Sequence, residues 1–504
     1  MKVLMTGNEA VAQGAYEAGV QFAAAYPGTP STEILENISL RKEITAEWAP
    51  NEKVAVESAF GASLAGARAL TAMKHVGLNV AADPFFTIGY TGINGGMVLV
   101  NADDPGLHSS QNEQDNRYYA RMAKVAMLEP SNSQESKDMV IRAMEISEKY
   151  DVLVMLRMTT RVCHSKSVVE TGERIEVPVK PYVKTPPKYI MAPANAKAAH
   201  IVVEKKLEEL EKFSNETELN YIEWNDKKIG VISAGVAYQY AKEVFSSSAS
   251  YLKLGFTFPL PMEKIKKFAE EVETLYVIEE LEPFMEEQIK AAGIKCIGKE
   301  KIPNTWELNP DIVKKSIFGT ENEIIDYDRT IAVGRPPTLC AGCPHRAFFY
   351  QLSKKKNTIV TGDIGCYTLG GAPPLNTMDT TICMGASISM AHGAKKVFER
   401  NNDNKRVVAV IGDSTFFHSG MTSLLDVVFN KGNTITCILD NRITAMTGHQ
   451  DNPGTGYTLQ GEITDTVQVE PIVRALGIKH IKTVNPMKQD EMKAALNWAY
   501  ELNE

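Results

Sequence analysis

Cysteine is scarce in this sequence, with seven among 504 residues. So few cysteines exclude a disulfide scaffold, and in a reducing compartment a close pair indicates a metal or redox site before it indicates a bridge. Long apolar runs are also missing: no stretch approaches the ~20 apolar residues that span a bilayer. The N-terminus lacks the apolar core of a secretory signal. We therefore expect a cytosolic, cytoplasmic protein without membrane segments.

The composition shows no excess of one charge and no shortage of apolar residues. Lysine and arginine number 54 against 62 aspartates and glutamates, and the net charge of −8 gives no sign of a dedicated nucleic-acid-binding protein. The fractions of 44% hydrophobic and 23% charged residues exclude collagenous, low-complexity and largely disordered chains. At roughly 150 residues per domain, the length predicts about three domains in an α/β protein.

Strand and helix patterns divide the chain into regions. Short apolar strands such as Lys2–Thr6 alternate with small-residue helices over residues 1–190, which predicts a mostly parallel sheet covered by helices. A Pro- and Lys-rich stretch and a charged helix indicate a surface linker over residues 191–227. Residues 228–305 predict a small doubly wound domain, and residues 330–504 predict a further α/β domain.

Polar residues follow two neighbouring strands of the last domain. The predicted strand Val407–Ile411 runs into Gly412, Asp413 and Ser414, and the next predicted strand is followed by Asn441. Ligands of doubly wound sheets bind at the carboxyl ends of parallel strands, so Asp413 and Asn441 are expected to lie close together there. An acidic and an amide oxygen suit a hard cation such as Mg²⁺ that also binds diphosphate. A strand-end turn is the alternative, since Gly-Asp-Ser alone is common.

The same residues resemble the thiamine diphosphate motif, which begins Gly-Asp-Gly and closes with Asn-Asn. The resemblance implies that Asp413, the side chain of Asn441 and the backbone carbonyl of Ile443 are the ligands of Mg²⁺. It also implies that Gly412 and Ser414 lie against the cofactor. Ser414 stands where the motif has glycine, an exchange of one small residue for another.

The thiamine motif implies that another domain supplies a glutamate to the aminopyrimidine ring. In many thiamine enzymes this glutamate precedes a glycine by nine positions within a helix of small residues, and Glu52 precedes Gly61 at that spacing. Glu57, in the same helix, lacks the spacing. A solvated helix end is the alternative interpretation of Glu52. Glu52 is thus the expected catalytic and cofactor-binding carboxylate.

Longer strings extend the resemblance over the whole chain. They are similar to the large subunits of the indolepyruvate:ferredoxin oxidoreductases, within the 2-oxoacid:ferredoxin oxidoreductase family. The strings are YPGTPST from Tyr26, MKHVGLNVAAD from Met73, HSSQNEQDNR from His108, LCAGCPH from Leu339 and AMTGHQ from Ala445.

This family resemblance implies a fold and a reaction. The fold is the thiamine diphosphate-binding α/β fold, with two doubly wound parallel-sheet domains, residues 1–190 for the pyrimidine and 330–504 for the diphosphate. Residues 228–305 are implied to be a transketolase-C-terminal-like domain. The reaction is the oxidative decarboxylation of arylpyruvates such as indolepyruvate to aryl-acetyl-CoA, with Thr29 near the reacting carbonyl. The implied partners are coenzyme A, ferredoxin and a small beta-type subunit in a two-plus-two assembly.

Two other functions fit the same residues. A non-redox thiamine diphosphate-dependent 2-oxoacid decarboxylase would share Glu52 and Asp413, and a non-catalytic scaffold subunit would keep the cofactor without turnover. Substrate-binding residues are not apparent from the sequence. His108, Gln114 and Arg117 fall on a polar loop after a predicted strand, where any of them could face the substrate carboxylate, with a solvated loop as the alternative.

Cys340, Cys343 and Cys366 form a cluster in the sequence, the first two in a Cys-x-x-Cys loop. Three thiolates that converge from two loops can hold an iron–sulfur cluster or zinc. The family resemblance implies the 4Fe–4S cluster nearest the thiamine. Reduced, unligated thiols are the third possibility.

A fourth cluster ligand is not evident. Cys437 falls within a predicted strand and Cys383 is expected in the core, the usual place of a lone cysteine, while His345 could complete a zinc site instead. The large subunits of this family continue into a ferredoxin-like domain with two cysteine-rich motifs. This sequence reaches Glu504 in a predicted helix without them. We expect either that it stops short of that domain or that another polypeptide supplies it.

Overall fold

The structure, a computed structural model, describes residues 1–323 and 328–502. The last two residues of the expected C-terminal helix lie outside the described residues. Chain contacts separate two compact units, Met1–Ile325 and Asp326–Glu504. Each unit is an α/β structure, which confirms the predicted fold class.

The strands of the described residues are numbered in chain order. They are β1 (Lys2–Thr6), β2 (Phe22–Ala25), β3 (Thr45–Trp48), β4 (Ala69–Lys74), β5 (Met97–Asp103), β6 (Ala126–Leu128), β7 (Val154–Thr159), β8 (Lys166–Glu170), β9 (Asn220–Glu223), β10 (Ile229–Ala234), β11 (Ser250–Leu254), β12 (Phe256–Phe258), β13 (Thr274–Ile278), β14 (Thr358–Thr361), β15 (Arg406–Gly412) and β16 (Ile435–Leu439).

The helices are numbered in the same way. They are α1 (Gly7–Glu17), α2 (Thr32–Ser39), α3 (Glu52–Leu64), α4 (His75–Val80), α5 (Ala82–Thr91), α6 (Arg117–Ala123), α7 (Ser133–Tyr150), α8 (Thr160–His164), α9 (Pro186–Tyr189), α10 (Pro193–Glu216), α11 (Gly235–Phe245), α12 (Met262–Glu270), α13 (Phe284–Ala291), α14 (Pro310–Phe318), α15 (Pro344–Leu352), α16 (Ala386–Arg400), α17 (Asp413–Thr415), α18 (Met421–Phe429), α19 (Val469–Ala475) and α20 (Gln489–Glu501). Across the described parts of the chain, no helix is both long and apolar enough to cross a membrane.

The first unit is built on a seven-stranded sheet of order β12-β6-β7-β5-β4-β2-β3. Its neighbours run parallel except β12, which is antiparallel to β6, so the predicted mostly parallel sheet is confirmed. The assignment of Lys2–Thr6 to this sheet is wrong, because β1 pairs antiparallel with β8 in a separate two-stranded sheet. Leu4 is 60% exposed, whereas strands of a covered parallel sheet are buried on both faces.

Side-chain caps fix where two helices of this sheet begin. The Thr6 hydroxyl accepts from the Glu9 backbone N–H at 3.1 Å, and the Glu9 carboxylate accepts from the Thr6 backbone N–H at 2.7 Å, which together start α1. The Asn51 side chain accepts from the Val54 backbone N–H at 2.9 Å and places the first turn of α3 directly after the β3 edge.

A smaller sheet of order β13-β10-β11-β9 completes the first unit. Its strands β10, β11 and β13 are parallel, and β9 is an antiparallel edge. Strand β12 follows β11 in the chain but does not join this smaller sheet. It pairs with β6 at the edge of the seven-stranded sheet instead. Helix α10 precedes this sheet and is largely exposed, with Val203 and Leu210 on its buried side.

The second unit contains a parallel sheet of order β14-β15-β16. Side chains of β15 point alternately to two apolar layers: Val408 and Val410 pack in one, and Val407, Ala409 and Ile411 pack in the other. Both faces of this strand are therefore buried, as expected for a parallel sheet with helices on each side. The polar side chains therefore lie at the ends of this strand, and the candidate site lies at its carboxyl end.

Candidate active site

Asp413 follows β15 at the carboxyl edge of its sheet and is 2% exposed. Strands β15 and β16 run parallel with Gly412 beside Leu439, so Asp413 and Asn441 follow neighbouring strand ends, as predicted. Burial and, to a smaller extent, the Asp440 carboxylate raise the pKa of Asp413 to about 6, against the opposing effect of a hydrogen bond from Asn452. That bond, from Asn452 Nδ2 to Asp413 Oδ2, measures 2.9 Å.

The three expected Mg²⁺ ligands converge at this edge. With the Asn441 amide turned so that its nitrogen faces two acceptors, it donates to Asp413 Oδ1 and to the Ile443 carbonyl, each at 2.9 Å. One amide group thus lies between a carboxylate and a backbone carbonyl. Rotation of the amide by half a turn would direct the amide oxygen of Asn441 toward the Asp413 carboxylate and the Ile443 carbonyl, which brings three oxygen atoms together. A carboxylate, an amide and a carbonyl are the oxygen ligands that Mg²⁺ takes, so these residues fit the ion.

Gly412 and Ser414 flank Asp413 in a tightly packed strand-to-helix turn. A Cβ atom on Gly412 would lie 2.6 Å from Cε1 of Tyr367, so no larger residue fits there unless that ring moves. The hydroxyls of Ser414 and Thr444 are hydrogen-bonded at 2.8 Å. This bond ties the turn after β15 to the loop that carries Ile443.

The helical run after Asp413 changes its winding. Helix α17 continues into a π-helical turn, Phe416–Gly420, before α18 begins. Single π-helical turns inside helices occur frequently at functional sites. The first N–H groups of the run lie directly after the β15 strand end, the position at which sheets of this kind bind phosphate groups.

The sequence reasoning missed Asp363, which lies two positions after β14 and has no exposed surface. Its carboxylate accepts from the backbone N–H groups of Gly385 at 2.8 Å and Ser387 at 3.1 Å, and so holds the start of α16. The signal was available, because Gly362 and Asp363 follow a predicted strand just as Gly412 and Asp413 do.

Glu52 lies at the carboxyl edge of the seven-stranded sheet in the first unit. It begins α3 and is only 4% exposed, which excludes a solvated helix end. A Cβ atom on Gly77 would lie 2.6 Å from Glu52 Oε1, so α4 approaches the carboxylate closely. Glu57, the alternative in the same helix, is exposed and pairs with Lys53. Of the two, Glu52 is the buried carboxylate.

Thr29 lies in the loop after β2, at the same edge. The Ser31 hydroxyl donates to the Gly28 carbonyl at 2.8 Å, and the Asn8 amide donates to the Pro30 carbonyl at 2.7 Å. The Ser109 hydroxyl donates to the Thr29 carbonyl at 3.2 Å. Three carbonyls of this short loop are thereby fixed by side chains.

The polar loop after β5 does not present Arg117 to a ligand. The guanidinium is 1% exposed and pairs with Asp115 at 2.5 Å and with Glu279 at 2.6 Å. His108 pairs with Glu307 at 3.2 Å. Gln114 donates to the Asn79 amide oxygen at 2.8 Å. The hypothesis that Arg117 faces a substrate carboxylate is therefore wrong, because its charge is neutralised inside the first unit.

The cysteine cluster does not form a metal site as it stands. Cys343 and Cys366 pack against an apolar core of the second unit and Cys340 is exposed. Burial raises the pKa of Cys366, and the charges of Cys340 and Cys343 raise it further, so the three thiols lie in one neighbourhood. Within residues 1–323 and 328–502, no group of three or more His, Cys, Asp or Glu side chains is arranged to hold a metal ion.

The candidates for a fourth ligand differ in their surroundings. Cys437 lies within β16, as predicted. The placement of Cys383 in the core is wrong, because it is exposed in the connection before α16. His345 is 7% exposed, and its Nδ1 atom has no hydrogen-bond partner among the described residues.

Comparisons with known proteins cover both units. Residues 13–219 match the family described as pyruvate flavodoxin/ferredoxin oxidoreductase, thiamine diphosphate-binding. Residues 363–504 match the C-terminal binding domain of the thiamine pyrophosphate enzymes. A 2-oxoglutarate:ferredoxin oxidoreductase from Magnetococcus marinus has a similar fold, with a TM-score of 0.52 and 16% identity over 63% of this chain and 64% of that chain.

Sequence relatives cover nearly the whole chain. Indolepyruvate oxidoreductase subunit IorA from Archaeoglobus fulgidus is 41% identical over 98% of this chain and 84% of its own length. The subunit of the same name from Pyrococcus horikoshii is 41% identical over 99% of this chain and 84% of its own length. A ketoisovalerate oxidoreductase subunit VorB from Methanothermobacter marburgensis is 27% identical over 64% of this chain and 99% of its own length.

Proposed function

This chain belongs to the family of indolepyruvate oxidoreductase subunit IorA, whose members are thiamine diphosphate-dependent 2-oxoacid:ferredoxin oxidoreductases, and on that premise we propose that its substrates are arylpyruvates. The proposed reaction is oxidative decarboxylation to aryl-acetyl-CoA, with ferredoxin as the electron acceptor. The observation that carries the proposal is the convergence of Asp413, Asn441 and Ile443 at the β15–β16 edge. The choice of arylpyruvates rests on the names of the relatives.

The chemistry needs a carbanion equivalent at the carbonyl carbon of a 2-oxo acid. When bound, thiamine diphosphate supplies the electron sink that no protein side chain offers. The residues of this chain bind and orient. Asp413, Asn441 and Ile443 would hold Mg²⁺, and the turn of Gly412 and Ser414 would hold the diphosphate.

Glu52 would hold a proton at the aminopyrimidine ring nitrogen. Its burial suits that role, because a hydrogen bond to a carboxylate is electrostatically stronger where water is excluded. Thr29 lies at the same sheet edge, in the loop whose backbone carbonyls accept hydrogen bonds from side chains. This position supports its proposed place near the reacting carbonyl.

We assign the domain roles accordingly. Residues 1–190 would bind the pyrimidine end of the cofactor, with residues 191–227 as the linker, and residues 330–504 would bind the diphosphate end. Residues 228–305 would be the transketolase-C-terminal-like domain. The small beta-type subunit, in a two-plus-two assembly, belongs to the same proposal, since the relatives are named as subunits.

A 4Fe–4S cluster on Cys340, Cys343 and Cys366 remains a prediction from cysteine spacing and family resemblance. The present arrangement of these thiols does not fit a cluster. Iron analysis of the purified protein tests it directly.

The test of function uses the complete enzyme, with its second subunit, an arylpyruvate, coenzyme A and oxidised ferredoxin. We expect release of CO₂ in step with ferredoxin reduction and acyl-CoA formation, dependent on added thiamine diphosphate and Mg²⁺. Release of CO₂ with an aldehyde product and no ferredoxin reduction would favour the non-redox decarboxylase. Tight cofactor binding without any CO₂ would favour the scaffold subunit.

A further inference from the structure

Lys74 ends β4 at the sheet edge that also carries Glu52 and Thr29, and the reaction described above gives it no role. Its aliphatic stem lies over the loop after β2. A Cβ atom on Gly28 would be 3.1 Å from both Cγ and Cδ of Lys74. The stem thus passes along this loop, and the ammonium group at its end reaches the Ser109 carbonyl in the loop after β5.

The ammonium group of Lys74 is tied to the Thr29 loop through one residue. Lys74 Nζ donates to the Ser109 carbonyl at 2.9 Å, while the Ser109 hydroxyl donates to the Thr29 carbonyl at 3.2 Å. Ser109 is itself held, because its N–H donates to Asp104 Oδ2 at 2.9 Å. The positive charge and Thr29 therefore have a fixed spatial relation.

Most of the hydrogen-bonding capacity of this ammonium is unused. An ammonium has three N–H donors, and Lys74 uses one of them, on the Ser109 carbonyl. In the described part of the chain, no carboxylate lies within ion-pair distance of Lys74. The Asp104 carboxylate takes its hydrogen bonds from Ser109, Ser110 and Thr160. Two donors thus remain for an incoming anion.

We propose that Lys74 binds the carboxylate of the 2-oxo acid substrate. The proposal rests on the proposed function, and it names the group that recognises an acid in preference to a neutral carbonyl compound. Charge-assisted hydrogen bonds from an ammonium to a carboxylate are short and strong. Held there, the substrate has its carbonyl carbon one bond from the anchored group, beside the Thr29 loop. Arg117, the cation expected from the sequence, is neutralised elsewhere.

The charge of Lys74 is sensitive to pH in a useful range. Burial lowers the pKa of Lys74 to about 8, and the charges of Asp104 and Glu52 oppose that fall. The neighbouring His75 is uncharged near neutral pH, because burial lowers its pKa. Lys74 is therefore mostly protonated at pH 7. Above pH 8, the affinity for the acid should fall about tenfold per pH unit, since only the charged form binds it.

The experiment compares an arylpyruvate with its neutral amide. Binding of each to the complete enzyme is measured by calorimetry, and KM and kcat are measured for the acid. In K74M, which keeps the aliphatic stem over Gly28, acid affinity should fall about 10- to 100-fold, equivalent to about 1.4 to 2.8 kcal/mol. Affinity for the amide should stay within about twofold. K74R should restore most of the preference for the acid, and K53M, a lysine of the exposed face of α3, should match the unmodified enzyme.

Equal losses for acid and amide in K74M would show that Lys74 only shapes the site, and unchanged binding of both would refute the proposal outright. If K74M does not fold, K74R decides, because arginine keeps its charge and should abolish the loss of acid affinity above pH 8. Persistence of that loss in K74R would also refute the proposal. If the unmodified enzyme shows no thiamine-dependent CO₂ release, the proposed function itself fails, a separate result.

Discussion

Replacement of Arg117 by methionine should strongly destabilise the first unit. The guanidinium is 1% exposed and pairs with Asp115 and Glu279, both of which are also buried. It further donates to the carbonyls of Glu280 at 2.9 Å and Glu282 at 3.0 Å. Methionine would keep contact with the Phe284 ring, over which the guanidinium carbon lies at 5.1 Å. The loss would then come from the two carboxylates left without their cation.

The magnitude follows from that burial. Removal of one partner from a buried ion pair costs about 3 to 5 kcal/mol. The lower half of the range applies, because Glu279 also accepts backbone N–H groups of Met285 and Glu286 at 3.0 Å. For a unit of 325 residues, with an unfolding entropy of about 2.1 cal/mol/K per residue, 3 kcal/mol corresponds to about 4 °C in Tm.

Differential scanning calorimetry measures this shift. The matched control is Arg142→Met, an arginine with a 38% exposed side chain that pairs with Glu145 and Glu218 at the surface; it should change Tm by less than about 1 °C. A shift for Arg117→Met as small as that of the control would refute the reasoning.

The effect of Arg117→Met also has a defined pH dependence. In the variant, burial without a cation raises the folded-state pKa of Asp115 and Glu279 above their unfolded values. A carboxylate with a raised pKa destabilises the fold above its unfolded pKa, of about 4. The difference in Tm between variant and unmodified protein should therefore be largest near pH 7 and smaller near pH 5.

Three further predictions concern the proposed cofactor site. Glu52→Gln should reduce CO₂ release at least 100-fold while calorimetry shows thiamine diphosphate affinity within a few-fold, because an amide keeps the shape but cannot hold the proton; Glu57→Gln is the control and should be silent. Asp413→Ala should abolish Mg²⁺-dependent retention of the cofactor, and unchanged affinity would place the metal elsewhere. The chain alone should contain substoichiometric, oxygen-sensitive iron or none, since three thiolates leave one iron of a cubane open; four stable irons per chain would show that Cys383, Cys437 or His345 completes the site.

The β15–β16 edge was predictable from sequence because its parts are local. Two strands close in the chain, each followed by a polar residue, lie side by side in a parallel sheet. The order of the strands alone therefore pairs Asp413 with Asn441. Glu52 was selected by a spacing shared with thiamine enzymes that lies within one segment; its burial agrees with that choice, and its role stays a prediction.

Residues whose partners are distant in the chain could not be placed. Arg117 follows a strand on a polar loop, a position typical of a binding residue, and its partner Glu279 lies 162 positions away. Lys74 lies in the string that begins at Met73, but that resemblance gives it no role, and only the packing of its stem on Gly28 reveals its direction. Cys383 lies in an apolar-looking segment, but the segment is a connection and leaves it exposed.

The position of β12 has a consequence for how the first unit is made. Strand β12, Phe256–Phe258, pairs with the outer edge of β6. During translation, β6 is synthesised roughly 130 residues before β12. Until β12 emerges, β6 presents unpaired backbone groups to other nascent or misfolded chains. Shortened versions that end before Phe256 should therefore aggregate, and the first 190 residues should not be obtainable as an isolated soluble module. The smaller sheet and the larger one would then have to be inherited together, since one strand of the later segment closes the earlier sheet.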